Sequence, residues 1–339
     1  MDIGLLEQSL VRVDGNPTDA LAESIKLARS AEDMGYSRIW VSEHHDSAAI
    51  AGSSPEILLA ALGAATNTIR LGSGGVMLPH YSPYKVAENF AVLSNLYPGR
   101  VDLGVGRAPG ADLNAAVALA TDGKPKFERF PELVRELIDA LNNRAYSPRV
   151  TPKPVLPLPV WILGSSAESA LLAAQLGLPY SVALFINPQF DPQLISLYKQ
   201  KFRPSTQCLE PRVMISLQVF AAETADEAAA LSHAASLSFV RFVTRQGSPG
   251  TIAPEEAIRH RFSSEEESFV THMARGKSVG VHEQLQDQVS IVKERFQADE
   301  ILAVCNSYYF HDRVASFDIF SKAMGLNRKE DFMSKTVVA

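Results

Sequence analysis

Short apolar runs alternate with helical patterns along almost the whole chain. Residues 3–6 (Ile-Gly-Leu-Leu) read as a strand; Leu21, Ile25 and Ala28 then fall at helical spacing over 20–34, and Gly35 stops that helix. Residues 38–43 read as a second strand. The helix predicted over 54–66 opens with Ser54-Pro55-Glu56, where proline at the first helical position loses no hydrogen bond. A third strand spans 69–78, and its helix sets Val86, Phe90 and Leu93 on one face before Pro98-Gly99 ends it. The fourth strand is 101–106. Phe130, Leu133, Val134, Leu137, Ile138 and Leu141 follow as a wide apolar stripe over 127–142.

Residues 151–159 hold four prolines and read as an extended connector. Beyond it strands are predicted at 160–163, 181–185, 213–220 and 300–305, and helices at 167–176, from 226, at 281–297 and at 312–324. Eight strands interleaved with helices fit a closed (β/α)₈ barrel, with an open doubly wound sheet split at the proline connector as the alternative. The barrel reading makes 1–339 one domain. Only 247–280 breaks the rhythm, being polar and irregular with Glu265-Glu266-Glu267 in a row. It reads either as a solvated insertion or as a lid, since long loops in compact domains are often functional.

Composition narrows the class. The 339 residues suit two ordinary domains or one barrel, which typically runs from about 250 to over 400 residues. With 46% hydrophobic and 21% charged residues, global disorder is excluded. A formal charge of −6 lacks the basic excess of a nucleic-acid binder. No apolar window approaches a membrane span, and the first residues lack the pattern of a secretory signal, so a cytoplasmic location is expected. Two cysteines, Cys208 and Cys305, cannot build a disulfide framework or a multi-cysteine metal site.

In a (β/α)₈ barrel reactive groups sit where strands end at the C-terminal face. The second strand runs into Glu43-His44-His45-Asp46. One histidine there suits proton transfer near neutral pH, against the plainer reading of a hydrogen-bonded loop histidine. A metal-dependent hydrolase built on His44 and His45 is a remote option, because adjacent side chains on an extended segment point apart and no further ligand set completes the site. The third strand carries Gly72, Gly74 and Gly75, which mark a bulge, a tight corner or a ligand lying against bare backbone. The fourth ends in Gly104-Val105-Gly106-Arg107-Ala108-Pro109-Gly110; the glycine spacing is wrong for a dinucleotide fingerprint, leaving Arg107 as a cation suited to phosphate or to an ordinary salt bridge. The fifth ends in Gly164-Ser165-Ser166-Ala167-Glu168-Ser169 at a helix start, a plain serine cap or an anion site. Arg107 and this helix start leave consecutive strands and could grip one phosphate.

Taken together, residues 40–45, 72–79, 103–107 and 164–179 resemble the bacterial luciferase-like superfamily of flavin-dependent monooxygenases. The resemblance implies a (β/α)₈ barrel binding reduced FMN or the deazaflavin F420. It makes His44 the active-site histidine, with Glu43 positioning it or the flavin ring. Gly74-Gly75 corresponds to a non-prolyl cis peptide behind the flavin. Arg107, Ser166 and Ser169, with Ser165 in the same turn, correspond to the phosphate site, and 247–280 to a mobile lid. It further implies O₂ and a small organic molecule as substrates, a separate flavin reductase, and a homodimer. Gly106 stands where light-emitting relatives carry a reactive cysteine, which argues against bioluminescence. An F420- or FMN-dependent hydride-transfer enzyme and a non-catalytic flavin-binding paralogue are the alternatives.

Overall fold

Eight parallel strands close on themselves in a computed structural model that describes residues 1–107, 110, 112–120, 122–142, 146–247 and 250–328. The ring runs β1 (Asp2–Glu7), β2 (Arg38–Val41), β3 (Arg70–Met77), β4 (Val101–Gly106), β5 (Val160–Leu163), β6 (Tyr180–Ala183), β7 (Val213–Ala221) and β9 (Glu300–Val304), with β9 pairing back to β1. This is the (β/α)₈ barrel, and each of the eight strands read from the sequence lies in it. A ninth strand, β8 (Lys277–Gly280), stands outside the ring and pairs with the far end of β7, Gln218 opposite Lys277.

Helices α1 (Pro17–Asp33), α2 (Pro55–Ala65), α3 (Pro83–Leu96), α4 (Leu113–Leu119), α5 (Phe130–Asn142), α6 (Ala167–Leu176) and α7 (Gln193–Lys201) follow the first six strands; α4 and α7 are too short to be read from the sequence pattern. After β7 come α8 (Ala225–Thr244), α9 (Pro254–Ala257) and α10 (Ser264–Met273), then β8, α11 (His282–Phe296), β9 and α12 (Phe310–Ala323). Outward-facing strand residues such as Leu5, Ile39, Leu71, Leu103, Ile162, Ile215 and Ile301 are buried against these helices. No helix among the described residues is long and apolar enough to cross a membrane.

Period-two alternation puts the other half of each strand inside the barrel. There a small cluster of Leu6, Trp40, Trp161, Met214, Leu302 and Val304 fills the middle. The indole rings meet edge to face, 5.5 Å between centroids. Glycines on the neighbouring strands make room for the large inward side chains of β2. A Cβ on Gly72 would lie 2.2 Å from the Trp40 indole nitrogen, and one on Gly4 would lie 2.4 Å from Arg38 Cγ. Below the tryptophans, at the N-terminal end, buried Arg38 bridges Asp102 at 2.7 Å and Glu300 at 2.9 Å. Arg70 also pairs with Asp102, and Arg212 with Glu300 at 2.7 Å. Burial pushes the Glu300 carboxyl upward even though Arg38 and Arg212 pull it down. This ion cluster plugs the N-terminal end of the barrel.

Residues 250–280 are more regular than their composition suggests. Ser263 caps α10, its side chain accepting from the Glu266 N–H, while the Glu266 carboxylate accepts from the Ser263 N–H. The glutamate run therefore sits in the first turn of a helix, where the dipole favours it.

Candidate functional site at the barrel mouth

The mouth is built from the loops after each ring strand. At β3 the register against β4 shifts between Ser73 and Val76, and the Gly74–Gly75 peptide is cis. The Ser73 hydroxyl donates to the Gly104 carbonyl and accepts the Gly104 N–H, holding the bulge on β4. A Cβ at Gly74 would lie 2.8 Å from Leu6 Cδ1, so the bulge is bare backbone fitted to the wall. Of the readings open for these glycines, the bulge is present and the ligand-facing backbone is compatible with it.

Alternation explains the second strand's loop. Arg38 and Trp40 face inward, and Ser42 and His44 continue the same parity, whereas Glu43 and His45 face the other way. His44 Nδ1 lies 3.2 Å from the Ser42 hydroxyl, and its backbone N–H donates to Gly52 O. Burial lowers the His44 pKa below 6.5; the Glu43 charge opposes that and His45 adds to it. Its imidazole is therefore a neutral base at pH 7.

Glu43 is buried and holds a different set of partners. Oε1 accepts from the Tyr81 hydroxyl and lies 2.9 Å from His45 Nε2, and Oε2 accepts from the Met77 N–H. Burial and the Glu43 charge both raise the Tyr81 pKa, so the phenol stays a donor. Glu43 thus makes no hydrogen bond to His44. It ties the loop after β2 to the loop after β3, and reaches His44 only through its charge. Sequence reasoning missed Tyr81 and Ser42, although both lie at strand ends, the positions such reasoning examines.

The two candidate phosphate elements lie side by side. Gly106 is in register with Leu163, so Arg107 and Gly164 leave β4 and β5 together. The Arg107 side chain is exposed and makes no ion pair among the described residues. Ser166 caps α6 in a box with Ser169: each hydroxyl accepts the other's backbone N–H, at 3.3 and 3.2 Å. The Ser169 hydroxyl also lies 3.0 Å from the Tyr180 hydroxyl, and Ser165 is exposed in the turn. The capping box leaves the N–H groups of Ala167 and Glu168 at the helix start without an intrahelical partner. An open helix terminus beside an unpaired guanidinium fits a phosphate. Ala108 and Pro109 lie outside the described residues.

The insertion after β7 reaches over this face. Thr251 bonds Val11 and Val13 in the loop after β1; Gln189, after β6, lies 3.2 Å from His272; Tyr309, after β9, donates to Glu255. Among the described residues no group of three His, Cys, Asp or Glu side chains is arranged to hold a metal. His44 and His45 diverge, as alternation requires.

The family model of luciferase-like monooxygenases matches residues 1–290. A luciferase-like monooxygenase of Escherichia coli is 36% identical over 93% of this chain and 94% of its own length. The N-acetyl-S-alkylcysteine monooxygenase of Bacillus subtilis is 33% identical over 95% and 98%. Among solved structures, apo-MsnO8 superposes with a TM-score of 0.87 at 32% identity, covering 96% of this chain and 99% of the other. The oxygenating constituent of 3,6-diketocamphane monooxygenase, solved with FMN, superposes at 0.72 and 18% identity, over 97% and 99%; an F420-dependent secondary alcohol dehydrogenase does so at 0.66 and 17%, over 95% and 98%. The last two share the fold. With matches spanning nearly the full length, the chain belongs to the luciferase-like monooxygenase family and is an enzyme of that class.

Proposed function

We propose that the protein oxygenates a small organic substrate with O₂ and reduced FMN, the reduced flavin arriving from a separate reductase. The observation that carries the FMN assignment is the pairing of Arg107 with the open start of α6, two phosphate-binding elements leaving adjacent strands. Gly74 and Gly75 offer bare backbone against which a flat ring can lie. FMN supplies the redox chemistry when bound; the barrel supplies position and protection. His44, neutral and facing the mouth, takes or returns a proton at Nε2, with Nδ1 held by Ser42. Glu43, Tyr81 and His45 brace the two loops that carry it. Helices α8–α10 and the loops they touch form the lid that excludes water.

The F420-dependent relative keeps hydride transfer as the competing reading. Anaerobic titration with reduced FMN and with reduced F420, followed by admission of O₂, separates them. Saturable FMN binding with substrate-dependent oxygen uptake is expected. Tight F420 binding with product formation in the absence of O₂ would overturn the proposal.

A further inference from the structure

A second cation at the mouth, besides Arg107, has no counter-charge among the described residues. Lys277 opens β8, and its ammonium donates to the Ser236 hydroxyl of α8 at 2.7 Å and lies 5.6 Å from the centre of the Phe220 ring. It forms no ion pair among the described residues. Burial alone pulls its pKa down, to about 8, with no carboxylate to hold it up. Lys277 is half-buried, and an ammonium drawn partly out of water is normally paired.

The strand register shows which way it faces. Lys277 is opposite Gln218, and residues paired across neighbouring strands share a face. Gln218 follows Met214 and Ser216 on the inner face of β7, and is also opposite Val304 of the inner cluster. The opposite face of β8 is occupied by α11, where the Ser278 hydroxyl donates to Gln288. Gly276, just before Lys277, packs so tightly on the loop after β6 that a Cβ would lie 2.4 Å from the Leu184 carbonyl oxygen. Lys277 is thus seated at the rim of the mouth, beneath α8. A second polar atom points the same way. Asn306 continues the inward series Glu300, Leu302, Val304, and its Oδ1 is buried without a hydrogen-bond partner among the described residues. In the ring of eight, β9 stands diametrically opposite β4, so this corner is across the mouth from Arg107.

We propose that Lys277 and Gln218 bind the carboxylate of the substrate, with Asn306 Oδ1 accepting a hydrogen bond from a donor group on the same molecule. The substrate class is then a small organic acid whose apolar body lies over the partly buried Leu163 and Phe185 side chains. The inference rests on the oxygenase reading only in calling the acid a substrate.

Calorimetric titration of the protein with hexanoate and with hexanamide, its neutral counterpart, tests it. Hexanoate should bind at least tenfold more tightly. Lys277→Met, which replaces a half-buried charge without an ion-pair partner by an apolar side chain of similar length, should fold and keep FMN affinity while losing that preference. Gln218→Leu should reduce it severalfold. Equal binding of acid and amide by the wild type, or a preference that survives in Lys277→Met, would overturn the inference. FMN affinity, read separately, reports on the flavin proposal: its loss in the wild type would remove that proposal and leave the acid preference standing.

Discussion

The two ends of the barrel treat charge in opposite ways. At the floor Arg38, Asp102 and Glu300 are buried and each faces an opposite charge, with Arg70 and Arg212 closing the cluster from the rim. At the mouth Arg107 and Lys277 have no carboxylate among the described residues, and the N–H groups that begin α6 are open. Both ends carry charged groups on the inner side of the ring or at its rim. The difference is that the floor charges are paired with one another, whereas the mouth charges have no ion-pair partner among the described residues, as the proposed ligand sites require. Charge at the floor therefore bears on stability, and charge at the mouth on binding.

That contrast is tested most severely at the floor. Arg38→Met leaves Asp102 and Glu300 buried without their shared partner, and breaking a buried pair from one side costs about 3–5 kcal/mol. Denaturant unfolding should show a loss of that size with FMN affinity per folded molecule unchanged; a loss under about 1 kcal/mol would mean the floor is not the structural element described. At the mouth, His44→Ala should lower turnover by roughly 10²–10⁴-fold, the usual contribution of a positioned acid or base. Its FMN affinity should barely move, and wild-type turnover would remove the histidine from the mechanism. Because burial depresses the His44 pKa, the native protein binds fewer protons than the unfolded chain between that lowered value and 6.5. Activity and this histidine's contribution to stability should therefore both rise with pH through that window; an acid limb centred above 6.5 in kcat/KM would contradict the assignment.

Arg107→Ala should erase most of the preference for FMN over riboflavin, about 1.5–3 kcal/mol for a charged hydrogen bond, and leave unfolding nearly untouched. Riboflavin binding as tightly as FMN in the wild type would break the phosphate assignment. The smallest effect is expected at Ser166→Ala, which removes the cap of α6 for about 0.5–2 kcal/mol of stability. If instead it abolished FMN binding at unchanged stability, the serine would be a ligand and not a cap.

Much of the barrel was legible because its signal is local and periodic. Strands buried on both faces read as short apolar runs, and the helix from Ala167 to Leu176 is announced by its own capping serine. The cap of α10 is equally present in Ser263 and Glu266, but the glutamate run breaks the apolar period, so the segment reads as an insertion or a lid and its helix goes unseen. Proximity was harder. His44 and Glu43 were recognisable as chemistry-bearing residues, yet their hydrogen-bond partners were not: Tyr81 lies 38 positions from Glu43, and only strand neighbourhood brings them together. Lys277 gave no signal at all, since a lysine in a polar stretch looks solvated until β8 and α8 enclose it.

The sequence by itself determined the repeating strand–helix order, the inward and outward faces of each strand, and the residues able to do chemistry at strand ends. Those properties depend on neighbours within a few positions, and backbone periodicity carries them. Which charges are paired and which are not was decided only by closure of the ring. That depends on the register joining β9 to β1, and on how Gly4 and Gly72 admit Arg38 and Trp40. Solvation of a side chain is a property of everything packed around it, and no stretch of sequence contains that information.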